Sequence, residues 1–145
     1  MTPSREPMQG RLSRLETLDA TRHARALHEA YAADPEGRNW TYLPYEPFAS
    51  AEIYEAAVAS MQNLDHTIFY AIIEEPSGAP VGVTSYLRID PPMGSIEVGH
   101  LSYSPALKAA LQGWLNPANF DERGLQRRAL STLIADARNA AETRG

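Results

Sequence analysis

The chain has 145 residues, 43% hydrophobic, 21% charged and 8% aromatic, which fits one soluble globular domain with a sizeable core. It carries no cysteine, and that excludes disulfides, thiolate metal sites and a cysteine nucleophile. The net charge of −5 argues against general nucleic-acid binding, and the longest apolar run, Ile68 to Ile73, is far short of the roughly 20 residues that span a bilayer.

Residues 1–9 are polar, hold Pro3 and Pro7 and show no apolar export core, so a loose lead-in and a cytoplasmic location are expected. Alternation from Arg11 to Leu15 predicts a first strand. Asp19 suits an N-cap, and Leu27, Ala30 and Tyr31 share one face of a helix that Asp34-Pro35-Glu36-Gly37 ends. An aromatic, proline-punctuated loop follows from Trp40 to Phe48. Ser50 then caps a second helix with an apolar stripe at Ile53, Ala57, Val58 and Met61.

Thr67 to Glu74, Val81 to Ile89 and Ser95 to Tyr103 are rich in β-branched and aromatic residues, and Gly-Pro turns separate them. Three consecutive antiparallel strands behind two helices give an α+β pattern. Beyond Pro105 a short helix from Ala106 to Leu115 and a break at Asn116 to Phe120 are predicted. A final helix, from Asp121 to about Thr143, carries Leu130, Leu133, Ile134, Ala137 and Ala141 as a stripe. The division is therefore a lead-in over 1–9, a domain over 10–104 and a helical tail over 105–145.

Metal and hydrolase chemistries find no support. His23, His28, His66 and His100 show no HxxxH or HExxH spacing, so no metal is expected, and neither a G-x-S-x-G elbow nor a P-loop is present.

Five blocks carry a family resemblance: Gly10-Arg11-Leu12 through Leu18-Asp19, the helix from His23, Trp40 to Phe48, Val81 to Leu87, and Ile96-Glu97-Val98-Gly99-His100. Their order and spacing over residues 10–107 resemble the N-terminal half of the GNAT acetyltransferases, in the branch that acetylates N-terminal amines of ribosomal proteins. The resemblance implies part of a GNAT (acyl-CoA N-acyltransferase) fold, an antiparallel sheet with two N-terminal helices followed by a helical tail. It also implies acetyl transfer from acetyl-CoA to a primary amine, N-terminal or small-molecule.

In that family the strand matching Ser95 to Tyr103 borders the cofactor cleft and is splayed by a bulge. Gly99, His100, Leu101 and Ser102 would hold the pantetheine arm. Glu97 is the position carried over as the base that deprotonates the ammonium; the plainer reading is a solvent-facing residue on an alternating strand. His100 could shuttle the proton and Tyr103 could protonate the leaving thiolate, or simply pack. Trp40, Tyr42, Tyr45 and Phe48 suit either an acceptor groove or a lid on the core.

Such enzymes grip the CoA pyrophosphate with a Q/R-x-x-G-x-G/A loop opening the next helix. Ser104 to Ala110 contains no glycine and would start a helix at once. Pro105-Ala106-Leu107 fits both the end of the family's first half and the start of its closing tail, as an internal deletion would leave it. Arg123-Gly124-Leu125-Gln126-Arg127-Arg128 superficially resembles a degenerate phosphate loop, but Trp114 to Asp121 before it resembles the family's C-terminal segment, and the tail reading is preferred. Weak or absent acetyl transfer is the expectation. The alternative is a non-catalytic remnant that binds or oligomerises through an exposed sheet edge, or whose cleft a partner chain completes. No nucleic-acid or membrane partner is expected.

Overall fold

Five antiparallel strands lie side by side in chain order in a computed structural model that describes residues 3–37, 47–75 and 77–114. They are β1 (Met8–Gln9), β2 (Ser13–Thr17), β3 (Ile68–Glu74), β4 (Pro80–Asp90) and β5 (Ser95–Tyr103). A π-helical turn (Ala20–Ala24) running into α1 (Arg25–Ala32), then α2 (Ala51–Met61), separate β2 from β3; α3 (Pro105–Trp114) follows β5. The predicted α+β architecture is present. Trp40, Tyr42, Tyr45, the Arg123–Arg128 segment and the final predicted helix lie outside the described residues.

Differences from the sequence reading are local. β2 starts at Ser13 rather than Arg11 because Gly10 N–H donates to Ser13 C=O at 2.8 Å, closing a turn back from β1. Met8 and Gln9, read as lead-in, thereby pair with Leu15 and Arg14. On α2 the buried residues are Tyr54 and Val58, with Met61 packed beside them, while Ile53 is 53% exposed. The i, i+4, i+7 stripe begins one residue later than predicted, and its anchor is the tyrosine. Both predicted caps form: Asp19 Oδ1 accepts from Arg22 N–H at 2.9 Å, and Ser50 Oγ accepts from Ile53 N–H at 3.3 Å.

β3 has apolar partners on both faces, which is why Ile68 to Ile73 is a continuous apolar run rather than an alternating one. Phe69, Ala71 and Ile73 pack against Leu27 and Tyr31 of α1 and Tyr54 and Val58 of α2. Ile68, Tyr70 and Ile72 face the other way, into a cluster with Leu15, Val81 and Leu107 of α3. A register shift opposite Ile72 and Ile73 puts Val81 in this second cluster and Val83 in the first, although they are two residues apart. The Tyr70 phenol donates to Ser4 C=O at 2.9 Å, and its burial pushes its pKa up to about 12.

A charged cluster fastens the helical layer to β2. The Glu16 carboxylate, on a residue only 8% exposed, accepts from Arg14 Nε at 2.8 Å, Arg22 Nη2 at 2.7 Å and His23 Nε2 at 3.0 Å. Asp19 N–H donates to His23 Nδ1 at 3.0 Å, so the ring carries its proton on Nε2 and points it at Glu16. Gln62, past the end of α2, closes the network on Asp19 Oδ2 and Ala20 N–H.

The Arg14 hydrogen bond first, and the His23 one next, hold the Glu16 carboxyl below its ordinary range. A carboxylate lowered in the folded state stabilises the fold above its unfolded pKa of about 4.3, and that contribution is lost as pH falls through the lower folded value. Glu16→Gln is therefore expected to destabilise by about 2 kcal/mol at pH 7, roughly 8 °C in melting temperature. Below about pH 4 the gap between wild type and variant should narrow. Melting curves from pH 3 to 7 check this, and a gap independent of pH would contradict it.

Candidate active site at the bulged edge of the sheet

β5 has one neighbour among the described residues, β4, and their register slips once in mid-strand. Gly99 pairs with Ser85 and Ser102 with Val83, so His100 and Leu101 together face the single residue Thr84. His100 absorbs the extra length in the left-handed region at φ 48°, a conformation rare for residues with a side chain. The bulge expected from the resemblance is present at the four residues carried over for the pantetheine arm.

The bulge sorts the candidate side chains between faces. Phe69, Ser85 and Gly99 lie in one cross-strand row on the helix-covered face, and Glu97 shares that face two residues earlier. The His100 ring sits 5.1 Å from the Phe69 ring, on the same side. Tyr103 pairs with Gly82, which pairs with Ile72, so it belongs to the opposite face, half-buried beside the second core cluster. The sheet thus puts Glu97 and His100 on one face and Tyr103 on the other. Burial raises the Tyr103 phenol and keeps it protonated at neutral pH.

The Glu97 side chain is 47% exposed and accepts from Arg88 Nη1 at 2.8 Å through Oε2. Arg88, 78% exposed, occupies a second irregular stretch of the ladder, at φ 49°. It also lines an open concavity of about 460 Å³ with His66, Ile89, Asp90, Pro91 and Pro92. One oxygen of Glu97 carries the arginine; the carboxylate is near water and still able to accept. The pair at this exposure contributes little stability.

Phe48 is half-buried: its ring lies 5.0 Å from the Tyr54 ring and its carbonyl accepts from His28 Nε2 at 3.2 Å. Those contacts fit the lid on the core. Trp40, Tyr42 and Tyr45 are outside the described residues.

Past β5 the chain enters α3 immediately. Ser104, fully buried, is its N-cap: Ser104 Oγ accepts from Leu107 N–H at 3.3 Å and Ser104 C=O from Lys108 N–H at 3.0 Å. Pro105 has no N–H, so of the helix-opening donors only Ala106 N–H is left over. A pyrophosphate needs several such donors and glycines that let it approach. The start of α3 thus offers a pyrophosphate one helix-opening N–H and no glycine.

Sequence reasoning passed over Tyr31 and Ser85 as polar partners. The Tyr31 hydroxyl donates to Ser102 C=O at 3.2 Å and the Ser85 hydroxyl to Gly99 C=O at 3.1 Å. The signal was a polar atom at an inward position of an apolar stripe and of a core strand. Among the described residues no group of three His, Asp or Glu side chains is placed to hold a metal, and no helix is long and apolar enough to cross a membrane.

The model of the acetyltransferase (GNAT) domain family matches residues 13–144. No curated protein matches the chain. Among solved structures, a GCN5-related N-acetyltransferase from Brucella melitensis is 27% identical with TM-score 0.69, over 89% of this chain and 66% of that one. A probable GNAT-family acetyltransferase from Chromobacterium violaceum is 26% identical with TM-score 0.73, over 97% and 63%. The ribosomal-protein-S5-alanine acetyltransferase of Vibrio fischeri, 16% identical with TM-score 0.50 over 89% and 65%, shares the fold. The chain spans about two thirds of the length of each of these structures.

Proposed function

The chain belongs to the GNAT acetyltransferase family, and on that premise we propose that it transfers acetyl from acetyl-CoA to a primary amine at the β5 bulge, with a weakened hold on the CoA phosphates. The observation that carries this reading is the bulge itself: a stretch of β5 with no ladder partner among the described residues, with Glu97 and His100 on one face of the strand. Acetyl-CoA would supply an activated acetyl thioester. Gly99, His100, Leu101 and Ser102 would bind its arm through their backbone, and the free oxygen of Glu97 would take a proton from the incoming ammonium, directly or through water, leaving a lone pair to attack. His100 is the next acceptor in line; the Tyr103 phenol lies on the opposite face of the sheet, beside the second core cluster, and takes no part in this step.

The acceptor in this proposal is an N-terminal amine, as in the ribosomal-protein branch, or a small-molecule amine; the likeness to the Vibrio fischeri enzyme supports it only at the level of fold. The weak phosphate grip rests on the capped, glycine-free start of α3 and suits an internal deletion at Pro105-Ala106-Leu107. We propose a cytoplasmic protein.

A second reading has its own observation. Ile96, Val98 and Leu101 on β5, an edge of the sheet among the described residues, are 45%, 50% and 48% exposed, and an edge of that kind invites another strand. A second copy pairing there would make the chain an oligomerising module, or complete the cleft between two copies.

Calorimetric titration of acetyl-CoA into the purified chain, with its mass measured by light scattering, separates these. Saturable binding in the micromolar range by a monomer is the expected result. A stable dimer that binds nothing would replace acetyl transfer by the module reading. A dimer that binds would put the site across the pair.

A further inference from the structure

We propose that two buried hydroxyls, Ser85 Oγ on β4 and Tyr31 Oη on α1, are positioning residues that pin the β5 bulge open; the consequence for acetyl-CoA rests on the reading above. Among the described residues this bulge has a ladder on one side only, and a one-residue slip would carry every later side chain to the other face. This one also holds His100 in the left-handed region, a conformation that persists only where the surroundings over-determine it. The surroundings that do so bracket the bulge.

On its leading side Ser85, 1% exposed, donates to Gly99 C=O at 3.1 Å. On its trailing side Tyr31, 5% exposed, donates to Ser102 C=O at 3.2 Å. The tyrosine ring is itself fixed by an edge-on contact with Tyr54, centroids 6.1 Å apart, which ties the trailing side to both helices. The two carbonyls flank the unpaired His100 and Leu101, so the hydroxyls define where the extra residue sits and which way its backbone faces. Ser102 Oγ is buried and has no hydrogen-bond partner among the described residues.

The test uses Ser85→Ala, Tyr31→Phe, the double variant, and Ser85→Thr, which keeps a hydroxyl. Amide hydrogen exchange on the ligand-free chain should be about fivefold faster at Ser102 and Ser104, where the strand rejoins β4, in each single variant, the worth of one buried hydrogen bond. The double variant should exchange faster still, while the amides of Phe69 to Ile73 keep the wild-type rate and Ser85→Thr stays near wild type. Exchange unchanged at the bulge, or raised equally in β3, would overturn the pinning. The acetyl-CoA dissociation constant should rise about fivefold in the same single variants. Wild-type affinity in variants whose bulge exchanges faster would overturn the role in binding. A wild-type chain that binds no acetyl-CoA would refute acetyl transfer instead, and the exchange rates would still decide the pinning.

Discussion

Replacing Glu97 by glutamine is expected to lower kcat/KM for acetyl transfer about 100-fold, the lower end of what a positioned general base contributes, and to leave the affinity for acetyl-CoA unchanged. Glutamine keeps the size of the side chain and can still accept from Arg88, so the ladder between β4 and β5 should persist; what disappears is the capacity to take a proton from an ammonium. Arg88 occupies one carboxylate oxygen at 2.8 Å, and on this reading Arg88→Gln should change the rate by far less than Glu97→Gln. The release of free CoA can be followed with a thiol reagent against zero background, because the chain has no cysteine of its own. Activity within threefold of wild type would leave Glu97 an ordinary solvent-facing residue and move the proton to His100.

The second large effect concerns the fold. An alanine Cβ at Gly82 would stand 2.7 Å from the Ser102 carbonyl oxygen, 3.0 Å from Leu107 Cδ2 and 3.2 Å from Ile72 Cδ1. The nearest of these is backbone, and it is the same carbonyl that receives the Tyr31 hydroxyl. Relief requires β4 and β5 to move apart just where the register is already uneven. Gly82→Ala is therefore expected to destabilise by about 3 kcal/mol. Gly99→Ala is the informative contrast: its Cβ would meet Leu87 Cδ2 at 2.8 Å, the tip of a side chain that can turn aside, and the expected loss is about 1 kcal/mol. Urea unfolding of the two variants measures both, and equal losses would show that β5 can shift as readily as a leucine tip.

Where the sequence was informative, one physical signal dominated the segment. β5 runs over Ser95 to Tyr103 as predicted because turn residues bound an uninterrupted β-prone run. α3 begins at once after Ser104 because serine caps and proline is tolerated in the first turn. The position of Glu97 on the strand was legible; its ion pair was not, because Arg88 reaches it only through an irregular stretch that no periodicity announces. The Glu16 cluster was hidden for a similar reason. It joins residues of β2, the π-helical turn and the end of α2, and a glutamate in an alternating strand reads as solvent-facing until His23 is found folded over it. Tyr31 was assigned to the right face for the wrong property, as apolar area rather than as a donor.

The order of strands also bears on how the chain folds. β3, β4 and β5 are each joined to the next by a short turn, so their ladders form from contacts close in sequence. β2 reaches β3 only after the whole segment from Leu18 to Thr67 has been laid down, and that pairing must close a far longer loop. The β3–β4–β5 meander, bulge included, is therefore expected to form early, with β1, β2 and the Glu16 cluster secured last.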